Sequence, residues 1–498
     1  MNARLEARTD ARSVYRLGQR ALSLGAANAF DYILQFLLPV VLVRCLDPTA
    51  FGQYRLVWLA AGTVMAVVTQ AMPGSLYYYL PRSDGAAKRL YINQTLLFLA
   101  SAGAIGALAV SPWNPWLPEK LGGLARHEAM LPAFVMLWVV GALLDLLPTV
   151  EERVGWQAKA IVGLSALRAV ALSLAAILTR ELEPVLLVLL AFVSFKVAVL
   201  LAYVARFHGL RGPLLRRRVF ADQLNYAVPF GAAGALYGLR SQADQWVAAG
   251  FFSVRMFASF SVAAVLAPLV HLFRQSVLHA FMPIMSRLQA DGDIRGMIEL
   301  NSHGNAIVGA LVFPLLAFAF VFAEEIVTVI YTPVYLDAAG VMRVYIVGLA
   351  ALVIEFASIL MLLRQGAFIL WVSLVVLIFS VALSWISARA FGLAGAAAGS
   401  VTAVYIDLIA TLWRISLRTG IPVRRLQDWR SLGLLMLFAA LAAALAWSIV
   451  GRYFAANGPL SRLAVGGALV AVTYIAMATV SGMARNWLVT VRNPEQRI

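Results

Sequence analysis

The sequence predicts an all-α polytopic membrane protein with about fourteen transmembrane helices. Three observations carry that prediction. Of 498 residues, 62% are hydrophobic and only 13% charged, where an average soluble chain is about 25% charged. Apolar runs of the roughly 20 residues needed to cross a bilayer recur along the whole chain. Lys and Arg between those runs fall unevenly on the two faces, as they do around membrane spans.

In chain order the runs are 21–43, 55–80, 91–111, 129–149, 160–179, 185–205, 225–250, 257–281, 303–323, 341–363, 366–387, 393–413, 431–450 and 461–481. Strands of a membrane barrel would be about 10 residues long and would alternate in polarity; these runs do neither. Residues 1–20 form a basic leader with Arg4, Arg8, Arg12, Arg16 and Arg20. The first run is too long for the apolar core of a signal peptide, so it is expected to stay as the first helix.

With the N-terminus in the cytoplasm, cytoplasmic segments hold 26 of the 40 Lys and Arg, the opposite face 9 and the spans 5. That asymmetry predicts both termini inside. The formal charge of +16 is then a topology signal, and nucleic acid is not expected as a partner. No loop is long enough for a soluble catalytic domain, so the chemistry is expected inside the membrane, in a transporter and not an enzyme. The single cysteine, Cys45, excludes an internal disulfide, and no spacing suits a metal; no cofactor is expected.

LDPTAFGQY (46–54) and FFSVRMFASF (251–260) form a faint repeat. Phe51 and Tyr54 recur as Phe257 and Phe260, 206 positions later. The shift suggests two six-helix bundles of like orientation, with a parallel pseudo-two-fold relation. The expected divisions are a leader (1–20), an N-terminal bundle (21–205), a basic linker (206–222), a C-terminal bundle (223–413), a basic loop (414–430), two additional helices (431–481) and a cytoplasmic tail (482–498).

Asp31, Arg168, Lys196, Arg240, Arg274 and Glu355 lie within spans. Each costs about 2.5–3.5 kcal/mol on insertion scales, which for six rivals the roughly 5–15 kcal/mol stability of a whole protein. They must pair or line a wet cavity. Helical spacing groups Asn28, Asp31 and Gln35; Thr63 and Gln70; Tyr237, Arg240 and Asp244; and His271, Arg274, Gln275 and His279. These stripes suggest a vestibule where the halves meet, while Arg168, Lys196 and Glu355 are more solitary. A structural ion pair is the competing reading for every one of these charges.

Other features have plainer readings. Gly395 and Gly399 in GLAGAAAG (392–399) permit close helix contact. Pro39, Pro73, Pro229, Pro268 and Pro314 permit bending. Tyr77, Tyr78 and Tyr79 suit an interfacial aromatic belt or sugar stacking. The basic loops at 206–218 and 414–430 are topology determinants that can touch anionic lipid.

RCLDPTAFGQYR (44–55) resembles the turn after the first helix of the polysaccharide-export flippases. These belong to the superfamily that also holds the multidrug and toxin extruders and the lipid II flippases. Arg44, Leu46, Pro48, Phe51, Gly52 and Tyr54 carry the likeness; Asp47 stands where glycine is common. QADQWVAAGFFS (242–253), FASFSVAA (257–264), MPIMSRLQADGD (282–293) and EEIVTVIYTPVYLDAA (324–339) add to it in the same order. The resemblance implies alternating access and translocation of an undecaprenyl-diphosphate-linked oligosaccharide across the bacterial inner membrane. It carries over no individual cavity residue. A role beside a polysaccharide polymerase or export complex would follow.

For a diphosphate cargo the expected cations are Arg240 and Arg274, with Asp244 and Asp31 orienting them and Gln35, His271 and Gln275 hydrogen-bonding sugar or phosphate. Asp31, Glu355 and Asp407 are the acids expected to couple transport to a proton or sodium gradient. An organic-cation extruder of the same superfamily, a membrane-embedded glycosyltransferase or polymerase, and an assembly scaffold stay open as alternatives. The central charge leans cationic, which disfavours the first. No loop offers the paired outer carboxylates that the second needs.

Overall fold

The structure is a computed structural model that describes residues 2–69, 72–115, 130–209 and 212–481. Gln70, Lys120, Arg126, Arg211 and the tail at 482–498 lie outside those residues, and the side chains of the leader, Pro229 and His279 are likewise not described. Among the described residues all regular structure is helical. Eleven segments among the described residues are long and apolar enough to cross a membrane. Large apolar side chains such as Leu178 (73% exposed), Ile378 (60%) and Trp447 (57%) cover helix faces that a soluble protein would make polar. The protein is a multi-pass membrane protein.

The chain forms two compact units, residues 1–242 and 243–498. The first contains α1 (Asn2–Cys45), α2 (Pro48–Val68), α3 (Met72–Tyr79), α4 (Gly85–Ala109), α5 (Met130–Gly141), α6 (Val154–Thr179), α7 (Leu182–His208) and α8 (Arg217–Arg240). Within it α1 packs on α6, α5 on α4 and α7, and α8 on α2 and α3. Leu76, Ile92, Leu99, Val139, Leu143, Leu147 and Leu200 form a closed apolar core. Gly238 lets α8 approach α2 closely, since a Cβ there would sit 2.5 Å from the Ala66 methyl.

The second unit contains α9 (Ala243–Phe251), α10 (Val254–Val262), α11 (Ala267–Ala290), α12 (Ile294–Val321), α13 (Ala323–Ile330), α14 (Asp337–Leu352), α15 (Ala357–Leu362), α16 (Gly366–Thr419), α17 (Trp429–Tyr453) and α18 (Pro459–Val480). Here α12 packs on α11 and α17, α14 on α16, and α17 on α18.

Three places account for the difference between eleven segments and the expected fourteen. The 54 residues of α16 are interrupted at Gly392 (φ 63°, ψ −142°). A Cβ at Gly395 would meet the Ser387 carbonyl oxygen at 1.9 Å and one at Gly399 the Ser384 nitrogen at 2.0 Å. The two arms therefore fold back on each other, along the two runs expected at 366–387 and 393–413. The expected span 225–250 breaks at Ser241 and Gln242, where the Thr63 hydroxyl donates to Gln242 Oε1 at 2.8 Å. The expected span 341–363 breaks between α14 and α15, at Glu355.

The faint repeat has a structural counterpart. Asp47 caps α2 by accepting from the amides of Thr49 (2.8 Å) and Ala50 (3.1 Å). Ser253, 206 positions later, caps α10 by accepting from the Met256 amide at 3.3 Å. Phe51 and Phe257 lie about one turn into their helices and Tyr54 and Phe260 about two, and all four are buried. Asp at position 47 is thus a helix cap.

The turn between α5 and α6 is clasped to the end of α7. Glu151 accepts from the Tyr203 hydroxyl and lies 2.6 Å from His208 Nε2, while Arg153 sits over the Phe207 ring at 3.6 Å. Burial alone would raise the Glu151 carboxyl, but His208, Tyr203 and Arg153 together bring it below its ordinary 4.5. A lowered carboxylate stabilises the fold fully above the ordinary carboxylate range and loses that contribution as pH falls through it. We expect Glu151→Gln to remove this acid-sensitive term. Thermal unfolding in detergent should show the wild type losing its advantage over the variant below about pH 4.5.

Candidate functional site

A cavity of about 310 Å³ lies within the N-terminal unit, among α1, the end of α5, α6 and α7. Its size is at the lower end of ligand pockets, roughly 300–1,000 Å³. Polar side chains on otherwise apolar helices are costly against lipid, and here three helices bring theirs to one cavity. Asn28, Asp31 and Gln35 come from α1; Gln157, Ser165 and Arg168 from α6; Lys196 from α7. Trp138 and Phe192 supply aromatic wall.

Two ion pairs hold the floor. Asp31 Oδ1 accepts from the Ser165 hydroxyl at 2.5 Å and from Arg168 Nη2 at 3.2 Å, and its Oδ2 accepts from Gln35 Nε2 at 2.7 Å. Lys196 Nζ donates to Asp145 Oδ2 at 2.7 Å and lies 4.9 Å from the Trp138 ring centre. The Lys196 side chain is 7% exposed but its partner Asp145 is 56% exposed. Asp145 is thus open at one side while Lys196 is enclosed. Arg168 Nε and Gln157 Oε1 are buried and have no hydrogen-bond partner among the described residues. The site therefore holds two cations with spare donor capacity, balanced by two carboxylates of which one is easily displaced.

Asp31 and Gln35 thus lie together as their spacing predicted. Arg168 and Lys196, left as solitary charges, line the same cavity. The signal that marks Arg168 is on its own helix: Gln157, Ser165 and Arg168 recur at the spacing of one helical face.

The other expected residues lie elsewhere. Arg240 ends α8, with its guanidinium 5.6 Å from the Tyr237 ring centre, and does not line this cavity. Asp244 lies in the first turn of α9, in the second unit, after the helix break at Ser241–Gln242. It is buried and accepts from the Tyr345 (2.8 Å) and Ser400 (2.7 Å) hydroxyls. Arg274 donates to the Leu352 carbonyl at 3.5 Å beside a 20 Å³ cavity shared with Glu355, Asn301 and Asn305. That space suits about one water molecule. His271 is half-buried and Gln275 exposed on the same helix, α11. Glu355 accepts from the Ser358 amide (3.1 Å) and hydroxyl (2.6 Å), capping α15 at the break. Asp407 is half-buried on α16.

The arrangement of helices is shared with solved transporters. The lipid II flippase MurJ in its inward closed conformation aligns over 93% of this chain and 99% of its own, with a TM-score of 0.68 at 12% identity. An inward-facing multidrug resistance transporter of the MATE family, in the MOP superfamily, aligns over 78% and 96% with a TM-score of 0.59 at 14% identity. The chain has the fold of the MOP-superfamily transporters. A third MOP transporter, from Pyrococcus furiosus and described by a binding pocket of reverse polarity, covers 80% of this chain and 96% of its own (TM-score 0.52, 15% identity). Residues 152–340 match the family described as "Polysaccharide biosynthesis protein". No curated protein matches the sequence. The MOP fold and the polysaccharide family both agree with the resemblance carried by RCLDPTAFGQYR.

Proposed function

We propose that this MOP-fold protein translocates a polyprenyl-diphosphate-linked oligosaccharide from the cytoplasmic to the outer leaflet of the bacterial inner membrane by alternating access. The observation that carries the reading is the membrane-embedded cavity with Arg168 and Lys196 on its wall. A diphosphate cannot cross hydrocarbon without compensation for its charge. One cation about 4 Å away contributes roughly 4 kcal/mol at an effective dielectric near 20. Arg168 can grip phosphate oxygens with donors that Asp31 leaves unused, and Lys196 can exchange Asp145 for substrate. The Trp138 ring offers a face to a sugar. The family match to polysaccharide biosynthesis and the fold shared with a lipid II flippase support the same cargo class.

The test is to follow lipid-linked glycan in cells. Without the protein, the lipid-linked sugar should accumulate on the inner leaflet and surface polymer should fall. Lys196→Ala should do the same with normal membrane insertion, by tenfold or more if about 1.4 kcal/mol of substrate interaction is lost. Arg240→Ala and Arg274→Ala assayed alongside would show whether those cations also meet the cargo. Normal surface polymer in both Lys196→Ala and Arg168→Ala would remove the reading. Efflux of organic cations abolished by Asp31→Asn would favour the extruder instead.

A further inference from the structure

The C-terminal end of α16, which the charge asymmetry of the sequence puts on the cytoplasmic side, carries a pair of arginines that the transport reading does not use. Arg414 and Arg418 are one turn apart, and both donate through Nε to the same neutral acceptor, Gln365 Oε1, at 3.0 and 3.1 Å. The amide is itself fixed, because Gln365 Nε2 donates to the Leu363 carbonyl at 3.1 Å. The Phe368 ring lies 5.0 Å from the Arg414 guanidinium. Among the described residues neither arginine has a carboxylate within ion-pairing distance. With Nε engaged, the terminal nitrogens of each fork are oriented but uncommitted. Two like charges held together by one neutral oxygen form a preorganised anion site.

The neighbouring helix face says which anion. Ile409, Trp413 and Leu417 recur at i, i+4 and i+8 and are 64%, 57% and 59% exposed. They form an apolar stripe beside the Arg414–Arg418 stripe, and Trp413 is of a residue type enriched at membrane interfaces. A soluble phosphate would use only the arginines. A phospholipid would use both, with its phosphodiester on the guanidiniums and an acyl chain along the stripe. We propose that Arg414, Arg418 and Gln365 form a headgroup site for an anionic phospholipid of the cytoplasmic leaflet. The bound lipid would tie the end of the α16 hairpin to that leaflet.

The test uses the full-length protein in detergent, with retained lipid counted by native mass spectrometry against phosphatidylglycerol, phosphatidylcholine and inorganic phosphate. The wild type should hold phosphatidylglycerol about tenfold more tightly than Arg414→Gln/Arg418→Gln, a ratio that corresponds to about 1.4 kcal/mol. Arg424→Gln/Arg425→Gln, which removes the same charge from the following segment, should behave as wild type. Gln365→Leu keeps both charges but releases them, and should weaken binding several-fold even if the double arginine variant fails to fold. Equal retention in wild type and Gln365→Leu would overturn the proposal. So would an equal loss in the Arg424/Arg425 control, equal binding of phosphatidylcholine, or displacement of the lipid by inorganic phosphate.

Discussion

Arg168→Ala is expected to abolish glycan export and to lower stability by about 2–3 kcal/mol, somewhat less than the 3–5 of a fully buried broken pair. The discount follows from exposure, since the Asp31 side chain is 26% and Arg168 13% accessible. The loss of stability comes from Asp31, whose carboxyl group is left with only the Ser165 hydroxyl and the Gln35 amide as partners. The second substitution Asp31→Asn should therefore restore thermal stability in the double variant. It should not restore export, because the cation that meets the diphosphate is still missing. Thermal unfolding in detergent and surface polymer, measured on the wild type, both single variants and the double variant, separate the two roles. A double variant that is both stable and active would make the pair structural and leave the cavity without its main phosphate ligand.

Gly399→Leu is expected to prevent folding of the second unit. The atoms that a side chain would strike are the nitrogen (2.0 Å) and Cα (2.3 Å) of Ser384. These are backbone atoms of the other arm of α16, and they cannot rotate aside as a side chain would. Overpacking a core commonly costs about 1–3 kcal/mol, and a backbone collision should exceed that. Yield in the membrane fraction and the unfolding temperature should both fall sharply. Gly433→Ala in α17 is the control, since no atom lies within 4 Å of the added methyl. It should be neutral or stabilise by up to about 1 kcal/mol through helix propensity. Equal yields of the two variants would mean that the hairpin does not need its close approach.

The legible part of this protein was the part that is local or additive. Each span is recognisable from its own twenty or so residues, because transfer into lipid is summed over neighbouring side chains. The Gly395–Gly399 contact could be read from four-residue spacing, although not that its partner is the preceding arm of the same hairpin. The polar stripe of Asn28, Asp31 and Gln35 was visible in α1 for the same reason, and it does enter the cavity. Helix breaks were harder. Ser241–Gln242 looks like ordinary helix, and the contact made at the break, a hydrogen bond between the Thr63 and Gln242 side chains, joins residues far apart in sequence.

By itself, then, the sequence determined that this is an all-helical membrane protein, with the resemblance that the MOP fold and the polysaccharide family later matched. It also determined which face of α1 is polar, whereas the polar face of α6 emerged only with the cavity. Only the tertiary structure decided which charges meet. Asp31 joins Arg168 across 137 positions and Lys196 joins Asp145 across 51. The physical reason is that hydrophobic transfer acts on each segment separately, whereas an ion pair depends on a separation of a few ångströms that exists only once four helices have packed.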